Sequence, residues 1–544
     1  MNNKLLCPLC NDTVDKLLYR FHVENERVVL KLIKEKNPSW STHDGLCSRC
    51  VDYYHTQLVL QQKILPEIGP HFPVKSADDF VILPTALRLD ADPRFTGKGI
   101  TICFIDSGFF LHDDLVKTSN RVKKAIDITN LKNDDSFFMK ADPSAWHGTM
   151  TSVVAAGDGY SSRGLYKGIA SDAELVLLKV QNDAGSITDE NICRALQWVL
   201  DNHRQYEIRI VNISLGADEA LSYKKSAIDA LAEKLIKAGI HIVAAVGNNE
   251  AAAVKPPANA PYVIAVGGID DNNLINNEQP QAYHSSYTVA ADGVSKPELV
   301  ANAVWVAAPI LPGTPEKENA EQLHLLLAMG DEILQATDNK ILEETGADGG
   351  SSTAGRRDAL VGRIQSTKFF SPHYMHVDGT SFAAPIVSSV IAQLLEINAS
   401  LTPAQVRQVL FSTARRFERI ETVRQGFGYI QPRKAVLKVL KNEVIMKTHE
   451  SPYINKRKKM IEFHIQNSCA GNICLAGSFN HWAHDVLLLE ANKNGLWKIE
   501  IPMLPKGRYQ YKFFIDDRMW VEDVENPLRE HDGFNGWNSI LEIK

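Results

Sequence analysis

The sequence predicts a multidomain protein whose central part is an α/β domain built on a doubly wound parallel sheet. A chain of 544 residues exceeds the size of an ordinary single domain. Between residues 96 and 440, short apolar runs alternate with amphipathic helical stretches. Two cysteine pairs precede this region, and short alternating strands follow it. We therefore expect a small N-terminal zinc-binding domain, the central α/β domain and a C-terminal all-β sandwich.

The overall composition is that of a globular protein. Hydrophobic residues make up 44% of the chain and charged residues 23%, and 59 basic against 65 acidic side chains give a formal net charge of −6. This mild acidity gives no electrostatic reason to expect nucleic-acid binding. The N-terminal residues lack the apolar run of a signal peptide, and no run of about 18 apolar residues indicates a membrane helix. We expect a cytoplasmic protein without nucleic-acid or membrane partners.

Two Cys-x-x-Cys pairs lie within residues 1–65, Cys7 with Cys10 and Cys47 with Cys50. Each pair can place two thiolates on one tetrahedral ion, and two pairs complete a four-cysteine zinc site. Because four thiolates leave no coordination position for water, the predicted Zn²⁺ is structural. The alternative is that these are redox-active or unrelated cysteine pairs.

Five apolar runs predict buried strands in the central region, namely GITICFID, AELVLLKV, IRIVNISL, IHIVAAVG and YVIAVGGI. Runs that are apolar on both faces suit a parallel sheet that is covered by helices on each side. Stretches such as TDENICRALQWVLDNHRQY predict those helices. In folds of this kind, the ligand sites lie at the carboxyl ends of the strands.

Residues that supply complementary parts of one reaction lie at these strand ends and helix starts. They are Asp106 in FIDSGFF, His147 in WHGTMTSVVAAG, Asn248 in AAVGNNE and Ser381 in DGTSFAAPIV. A serine nucleophile needs a histidine base, and a carboxylate orients that histidine. An asparagine amide and a backbone N–H at a helix start can stabilise the oxyanion that forms. Taken alone, Ser381 would be interpreted as a helix cap.

Residues 96–440 resemble the subtilisin-family (S8) serine peptidases, because DSG, HGT, NISLG, GN, PPANAPYVIAVGGID and GTSFAAP occur in the family's order. The resemblance implies that Asp106 orients His147 and that His147 is the general acid and base. It also implies that Ser381 is the nucleophile and Asn248 the oxyanion donor. Six further residues would flank the pocket for the residue before the scissile bond: Ser214, Leu215, Gly216, Ala245, Val246 and Gly247.

An insertion at about 314–368 precedes the Ser381 motif. Thr314 and Pro315 are typical of a helix start, and the leucines and isoleucines that follow have near-helical spacing. GADGGSSTAGRRD then predicts a flexible break, and ALVGRIQSTKFF predicts a second short helix. The insertion is expected to be a surface hairpin or, alternatively, a lid or an arm that binds a protein partner.

Two features beside the catalytic motifs remain open in the sequence. Residues 66–95 are expected to be either a linker or an inhibitory segment that lies across the cleft. The family resemblance also implies Ca²⁺, because Asp114 in LHDDL matches a frequent calcium ligand of the family. The loop that should supply the remaining ligands is not matched.

Short alternating strands follow a polar, basic linker at 441–459 and predict an all-β sandwich over residues 460–544. LAGSFNHWAHDVLL, GRYQYKFFIDDRMWVED and GWNSI resemble the family 48 carbohydrate-binding module, the glycogen-binding domain of the AMP-activated kinase β subunit. The resemblance implies binding of glycogen or a related α-glucan. The residues that match its sugar contacts are Trp482, Lys512, Trp520 and Asn538.

Alternatives stay open for this module. Its tryptophans could be core residues, or the module could contact only proteins, and Trp537 could belong to the core or to the rim. For the whole chain we expect an intracellular serine endopeptidase that acts on proteins or peptides through an acyl-enzyme, with accessory modules that regulate its activity or location. The alternative is an inactive peptidase-fold scaffold that binds glucan or protein partners.

Overall fold

The computed structural model of the chain describes most of the residues from 82 onward and parts of the N-terminal region. The described residues are 5–8, 13–14, 17, 29–34, 37–47, 50–51, 54, 82–131, 136–162, 164–275, 277–289, 294–347, 352–441, 450–467, 470–492 and 495–544. In the N-terminal region, strand β1 (Leu5–Leu6) pairs antiparallel with β2 (Thr13–Val14), and residues 29–34 are helical. A small apolar cluster that includes Ile33, Trp40 and Leu46 packs there.

The centre of the protein is a parallel sheet. The strands of the α/β region are β3 (Thr101–Asp106), β4 (Val122–Asp127), β5 (Glu174–Lys179), β6 (Ile208–Ile213), β7 (His241–Ala245), β8 (Ile264–Asp270), β9 (Gln281–Ala282), β10 (Thr288–Val289), β11 (Ser295–Lys296), β12 (Leu299–Asn302), β13 (Val306–Pro309) and β14 (Tyr374–Val377). Strands β12, β8, β7, β6, β3, β5 and β4 lie side by side in parallel, and β9 pairs antiparallel with β8. This confirms the predicted sheet, and the five predicted strands are all in it.

The helices of this region either cover the two faces of the sheet or form the insertion. They are α1 (Thr85–Arg88), α2 (Asp113–Val116), α3 (Ala145–Ala156), α4 (Asp189–Asn202), α5 (Ala227–Lys237), α6 (Pro315–Leu327), α7 (Asp331–Ala336), α8 (Asn339–Glu344), α9 (Thr353–Thr367), α10 (Thr380–Ile397), α11 (Pro403–Thr413), α12 (Thr422–Gln425) and α13 (Pro432–Leu440). One apolar core lies between the sheet and α3, α10, α11 and α13, and a second lies between the sheet and α4 and α5. The sheet is therefore doubly wound.

Helix α10 is the core helix that carries Ser381. By length and composition it could span a membrane, which the sequence did not lead us to expect, but 83% of it is buried inside the protein. It packs against β6, β7, β8 and α3. Its apolar character is explained by this position at the centre of the domain.

The insertion forms a small helical unit of α6, α7, α8 and α9 with its own apolar core. The predicted flexible break is partly wrong, because α9 begins at Thr353, with the Ser352 hydroxyl accepting a hydrogen bond at its start. The buried Arg356 explains this early start. It donates to the carbonyl oxygens of Leu334 and Gln335 and so ties α9 to α7.

Residues 82–95, the described part of the segment 66–95, pack into the α/β domain. The buried Arg88 guanidinium donates from Nε and Nη2 to the Asp271 carboxylate at 2.8 and 2.7 Å, and from Nη1 to the carbonyl oxygen of Trp305. This part of the segment is thus an integral piece of the domain. Residues 66–81 lie outside the described residues.

The C-terminal module consists of two antiparallel sheets. Its strands are β15 (Tyr453–Asn455), β16 (Met460–Gln466), β17 (Ile473–Gly477), β18 (Glu490–Ala491), β19 (Leu496–Pro502), β20 (Gly507–Ile515), β21 (Met519–Val521), β22 (Arg529–His531) and β23 (Trp537–Ile543). One sheet has the order β15-β16-β19-β18, and the other has the order β17-β20-β23-β22 with β21 beside β20. Phe463, Tyr511, Phe513 and Leu541 belong to the core that joins them. Strand β15 comes from the region expected to be a linker.

Candidate active site and accessory sites

The end of β3 and the first turn of α3 bring Asp106 and His147 together. The buried Asp106 carboxylate has Oδ1 at 2.7 Å from His147 Nδ1 and accepts a hydrogen bond from the Thr151 hydroxyl through Oδ2. Since a carboxylate accepts, Nδ1 carries the proton and Nε2 of the neutral ring is left as a base. Burial lowers the pKa of His147, but the charge of Asp106 and their hydrogen bond outweigh burial and raise it above its usual value.

Ser381 is the second residue of α10, where backbone N–H groups have no partner within the helix. The N-cap position belongs to Gly379, which has φ 140°, so Ser381 is not the helix cap. In the described part of the chain, the Ser381 hydroxyl donates to the carbonyl oxygen of Ser214 at 3.2 Å and not to His147. Reaching His147 requires a rotation about the Cα–Cβ bond, and catalytic hydrogen bonds commonly tighten only when substrate binds.

The amide of Asn248 is oriented by Thr380, the residue before Ser381. Asn248 Oδ1 accepts hydrogen bonds from the backbone N–H and the hydroxyl of Thr380 at 2.8 and 2.9 Å. Because Oδ1 is engaged there, Nδ2 is the group available to a developing oxyanion. The backbone carbonyl of Asn248 accepts from His284 Nδ1 at 3.1 Å. Sequence reasoning missed Thr380 and His284, although Thr380 lies inside the quoted DGTSFAAP.

The predicted substrate-binding segments lie at the carboxyl ends of β6 and β7, which are neighbours in the sheet. They consist of Ser214, Leu215, Gly216, Ala245, Val246 and Gly247. The Ser214 hydroxyl donates to the Ser381 carbonyl oxygen at 2.8 Å, and the Gly247 N–H donates to the Thr380 hydroxyl at 3.2 Å. Gly247 has φ 103°, a conformation that favours glycine. Both segments thus lie against the start of α10.

Three of the four predicted metal ligands converge in the N-terminal region. Cys7, Cys47 and Cys50 have their Sγ atoms within 4.8 Å of one another, and the Cys7 and Cys50 sulfurs are 3.8 Å apart. Sulfurs bound at about 2.3 Å to a tetrahedral ion are about 3.8 Å apart, so the cluster fits a metal ion. Arg94 Nη1 donates to Cys50 Sγ at 3.3 Å, which favours the thiolate. Cys10 lies outside the described residues.

Asp114 does not fit the expected role of a calcium ligand. Its Oδ1 accepts from the Ser161 N–H at 2.9 Å, and its Oδ2 accepts from the Tyr374 hydroxyl. Burial and the charge of Asp114 raise the pKa of Tyr374, so this hydroxyl stays protonated and donates. Ca²⁺ takes about six to eight oxygen ligands, and within the described residues Asp114 belongs to no group of three converging His, Cys, Asp or Glu side chains.

The predicted sugar contacts lie on the outer face of the sheet that contains β20. Along β20, Tyr511 and Phe513 face the core, so Lys512 and Phe514 face outward. Trp520 of β21 pairs with Phe514, and their rings are 4.5 Å apart. The Trp520 side chain is 42% exposed. Its position leaves an aromatic face open to solvent.

The other predicted contacts surround this ring. Trp482 lies 5.9 Å from Trp520 with an interplanar angle of 75°, and Lys512 pairs with Asp532 at 2.5 Å. Asn538 is mostly buried and shares the face of Lys512, because the adjacent residues Ser539 and Tyr511 pair across the sheet. Trp537 is 1% exposed and is therefore a core residue.

Arg529 fastens the C-terminal module to the α/β domain. Its buried guanidinium lies 4.4 Å above the Phe427 ring and 4.8 Å from the Trp537 ring. It also donates to the carbonyl oxygens of Ser295 and Pro297 at 3.4 and 3.2 Å. Burial lowers the pKa of Arg529 to about 10, so the group remains a cation at neutral pH.

A second contact joins the module to α12 through the loop that partners Lys512. Asn535 Oδ1 accepts from the Thr422 N–H at 3.0 Å, and the Thr422 hydroxyl donates to the Asn535 carbonyl oxygen at 2.6 Å. Asp532, in the same loop, accepts from Lys512 and from the loop's own N–H groups of Phe534 and Gly536. These hydrogen bonds outweigh the effect of burial and lower the pKa of Asp532.

Helix α12 in turn contacts the loops around Asn248. Arg424 Nη2 pairs with Glu250 at 2.7 Å and donates to the carbonyl oxygen of Tyr283 at 3.2 Å. Tyr283 precedes His284, which holds the backbone of Asn248. Polar contacts and short backbone segments therefore lead from the Lys512–Asp532 pair of the module to the backbone carbonyl of Asn248.

Comparison with known families matches both large parts of the chain. The model of the subtilase family (Peptidase S8) matches residues 97–429. The model for the glycogen recognition site of AMP-activated protein kinase matches residues 461–544.

Curated relatives agree with the first of these matches. The serine protease AprX of Bacillus subtilis (strain 168) is 27% identical over 324 residues, which cover 58% of this chain and 61% of the relative. The cuticle-degrading serine protease of Orbilia oligospora is 30% identical over 34% of this chain and 39% of its own length. The chain thus spans less than two thirds of these relatives. Fervidolysin from Fervidobacterium pennivorans, a solved structure, is 18% identical with a TM-score of 0.44 over 77% of this chain and 53% of its own.

Proposed function

Since the chain belongs to the subtilase family, we propose that it is a serine endopeptidase that cleaves peptide bonds of proteins or peptides. The convergence of Asp106, His147 and Asn248 at the start of the helix that carries Ser381 supports this function. His147 Nε2 takes the proton of Ser381 while Oγ attacks the carbonyl carbon of the substrate. Asn248 Nδ2 and a backbone N–H of α10 stabilise the oxyanion.

The leaving amine takes its proton from the imidazolium of His147, and an acyl group remains on Ser381. Water then attacks the acyl-enzyme by the same route, with His147 as base. Asp106 supports both stages, because its charge stabilises the imidazolium and its hydrogen bond fixes the ring. The proposed substrate-binding residues Ser214 to Gly216 and Ala245 to Gly247 lie against the nucleophile's helix and would hold the acyl part of the substrate.

Labelling with a fluorophosphonate probe tests this function. The wild-type chain should be labelled at Ser381 and should degrade casein, and Ser381→Ala should lose both properties. A folded wild-type chain that is neither labelled nor active would instead support the alternative of an inactive scaffold.

For the N-terminal region, we propose a structural Zn²⁺ held by Cys7, Cys10, Cys47 and Cys50. The convergence of the three described cysteines supports this site. Thiolate ligands must stay reduced, so we propose a cytoplasmic location. A protein partner at the insertion is also proposed, supported by the exposed Leu325 of α6.

For the C-terminal module, we propose binding of glycogen or a related α-glucan on the face formed by Trp482, Lys512, Trp520 and Asn538. The exposed Trp520 ring supports stacking on the apolar face of a sugar, and the Lys512–Asp532 pair supplies a donor and an acceptor for hydroxyl groups. We further propose that this module regulates the peptidase. The contact between Asn535 and Thr422 supports such a role.

A further inference from the structure

We infer that a pocket beside His147 accepts a bulky apolar side chain of the substrate, in the part of the peptide that leaves with the amine. This inference rests on the proposed peptidase function and specifies its substrate class. The pocket has a volume of about 660 Å³ and lies between the first turn of α3, strand β14 and the start of the insertion. A cavity of this size can hold any single side chain.

The floor of the pocket is apolar and already formed. Met150, Ile310, Leu311 and Val377 line it and are buried. Burying a charged side chain against these groups without a partner would be costly, whereas an aliphatic or aromatic side chain would gain free energy by leaving water. Asp142 and Glu316 also line the pocket and can pair with a basic side chain, so the pocket favours leucine-like or phenylalanine-like residues over glycine and over acidic residues.

The position of Trp146 assigns the pocket to the leaving side of the scissile bond. Trp146 forms one wall of the pocket, and its ring meets the His147 ring edge to face at 5.2 Å. His147 protonates the amine as it departs, so the residue that carries this amine passes beside Trp146. Within the described residues, the segments proposed for the acyl side, 214–216 and 245–247, are absent from the lining.

The insertion supplies another wall, formed by residues 313–316. The Thr314 hydroxyl donates to the carbonyl oxygen of Leu311 at 2.7 Å and accepts from the Lys317 N–H at the start of α6. Lys317 Nζ donates to the carbonyl oxygen of Pro372 at 2.8 Å, which ties this turn to the approach of β14. The wall is thus held in place before substrate arrives, and the insertion takes part in selecting the substrate.

Acyl transfer tests the inference directly. The full-length chain is acylated with a peptide ester, and the acyl-enzyme is allowed to partition between water and an added amine, either leucinamide or glycinamide. Wild type should capture leucinamide about tenfold better than glycinamide or more, because the pocket is occupied only by the larger side chain. Both products come from one acyl-enzyme, so a general loss of activity cancels from the ratio.

Two variants and a matched control test whether the preference for leucinamide depends on this pocket. Trp146→Ala removes a wall and should bring the capture ratio towards one, and Glu316→Trp should do the same by narrowing the mouth from an exposed position. Ile341→Ala, at an exposed position of α8 in the same insertion and outside the pocket, should keep the wild-type ratio. Equal capture of both amines by wild type would overturn the pocket while the peptidase function stands. Failure of the ester to acylate Ser381 would overturn both.

Discussion

Three hydrogen bonds join Thr422 of the α/β domain to Asn535 of the C-terminal module. The backbone N–H and the hydroxyl of Thr422 donate, and the backbone carbonyl oxygen and Oδ1 of Asn535 accept. Asn535 has φ 61°, a left-handed conformation that asparagine adopts more readily than most residues. The contact lies between Asp532, the partner of Lys512, and Arg424, which reaches the loops around Asn248. The Thr422–Asn535 contact thus lies between the proposed sugar site and the proposed oxyanion site.

We expect sugar affinity to depend on the state of Ser381. A phosphonate on Ser381 places an anionic oxygen beside Asn248, and coupling between two sites is reciprocal. A coupling of ordinary size would change the dissociation constant of maltoheptaose by about fivefold or more. Calorimetric titration of the full chain, before and after modification of Ser381, measures this change.

The variant Thr422→Val keeps the side-chain shape but removes the donated hydroxyl, so it should bring the two dissociation constants together. Arg419→Gln is the matched control, because it alters only an exposed hydrogen bond to Gln279 before α12. It should leave the difference intact. If unmodified and modified wild type bind maltoheptaose equally, the contact is structural only.

Removal of the Asn248 amide should slow catalysis and leave substrate binding almost unchanged. The amide acts on the oxyanion, which is absent in the ground state, so Asn248→Ala should lower kcat by about 10²- to 10³-fold with little change in KM. Steady-state kinetics on a peptide substrate checks this. The neighbour Asn249 provides a control, because its side chain makes one hydrogen bond within the described residues, accepted from the exposed Ala251 N–H. An equal loss in Asn249→Ala would point to general damage of the loop.

The pH profile should report the interaction of His147 with Asp106. Acylation needs neutral His147, so kcat/KM should fall as the pH decreases through the pKa of this residue. Because Asp106 raises that pKa, the acid limb should lie above the value of about 6.5 for an ordinary histidine. In Asp106→Asn, His147 stays buried but loses the neighbouring negative charge, so its pKa should fall. The acid limb of the pH profile should then shift to lower pH, and kcat should fall by about 10⁴-fold. The exposed Asp201→Asn should show neither change, and an unshifted limb in Asp106→Asn would contradict the assignment.

Removal of metal should destabilise the N-terminal region. The cysteines lie at the centre of its small apolar cluster, so chelation should lower its midpoint of thermal unfolding, and elemental analysis of the untreated chain should give one Zn²⁺ per molecule. Cys50→Ser should lose the metal. Cys193→Ser, in α4, should retain it. Retention of full metal content by both variants would refute the four-cysteine site.

The positions proposed for catalysis could be selected from the sequence because the proposed reaction restricts both residue type and place. Asp106 ends a buried strand, Asn248 lies shortly after another, and His147 and Ser381 each lie in the first turn of a helix. Their roles follow from chemistry once these four are considered together. The sequence motifs, and the rule that ligand sites lie at the carboxyl ends of parallel strands, indicate the same edge of one sheet. No contact between distant parts of the chain has to be known in advance.

Other parts could not be predicted because they depend on contacts far apart in the chain. Tyr374 binds the candidate calcium ligand Asp114 across 260 residues, and nothing in LHDDL indicates that partner. The start of α9 was missed because glycine- and serine-rich sequence favours a loop, whereas Arg356 fixes the helix through carbonyl groups of α7. Local composition cannot reveal hydrogen bonds between two helices of this kind.

The Arg529 guanidinium lies between Phe427 of the α/β domain and Trp537 of the C-terminal module. Residues 441–459 therefore separate two domains in the sequence, but these domains share a buried contact in the folded protein. A chain shortened at 441 would leave the Phe427 face and the carbonyl groups of Ser295 and Pro297 to water. The separated module would carry Arg529 without its acceptors. The α/β domain and the C-terminal module therefore depend on each other for stability, because each supplies part of the surroundings of this cation.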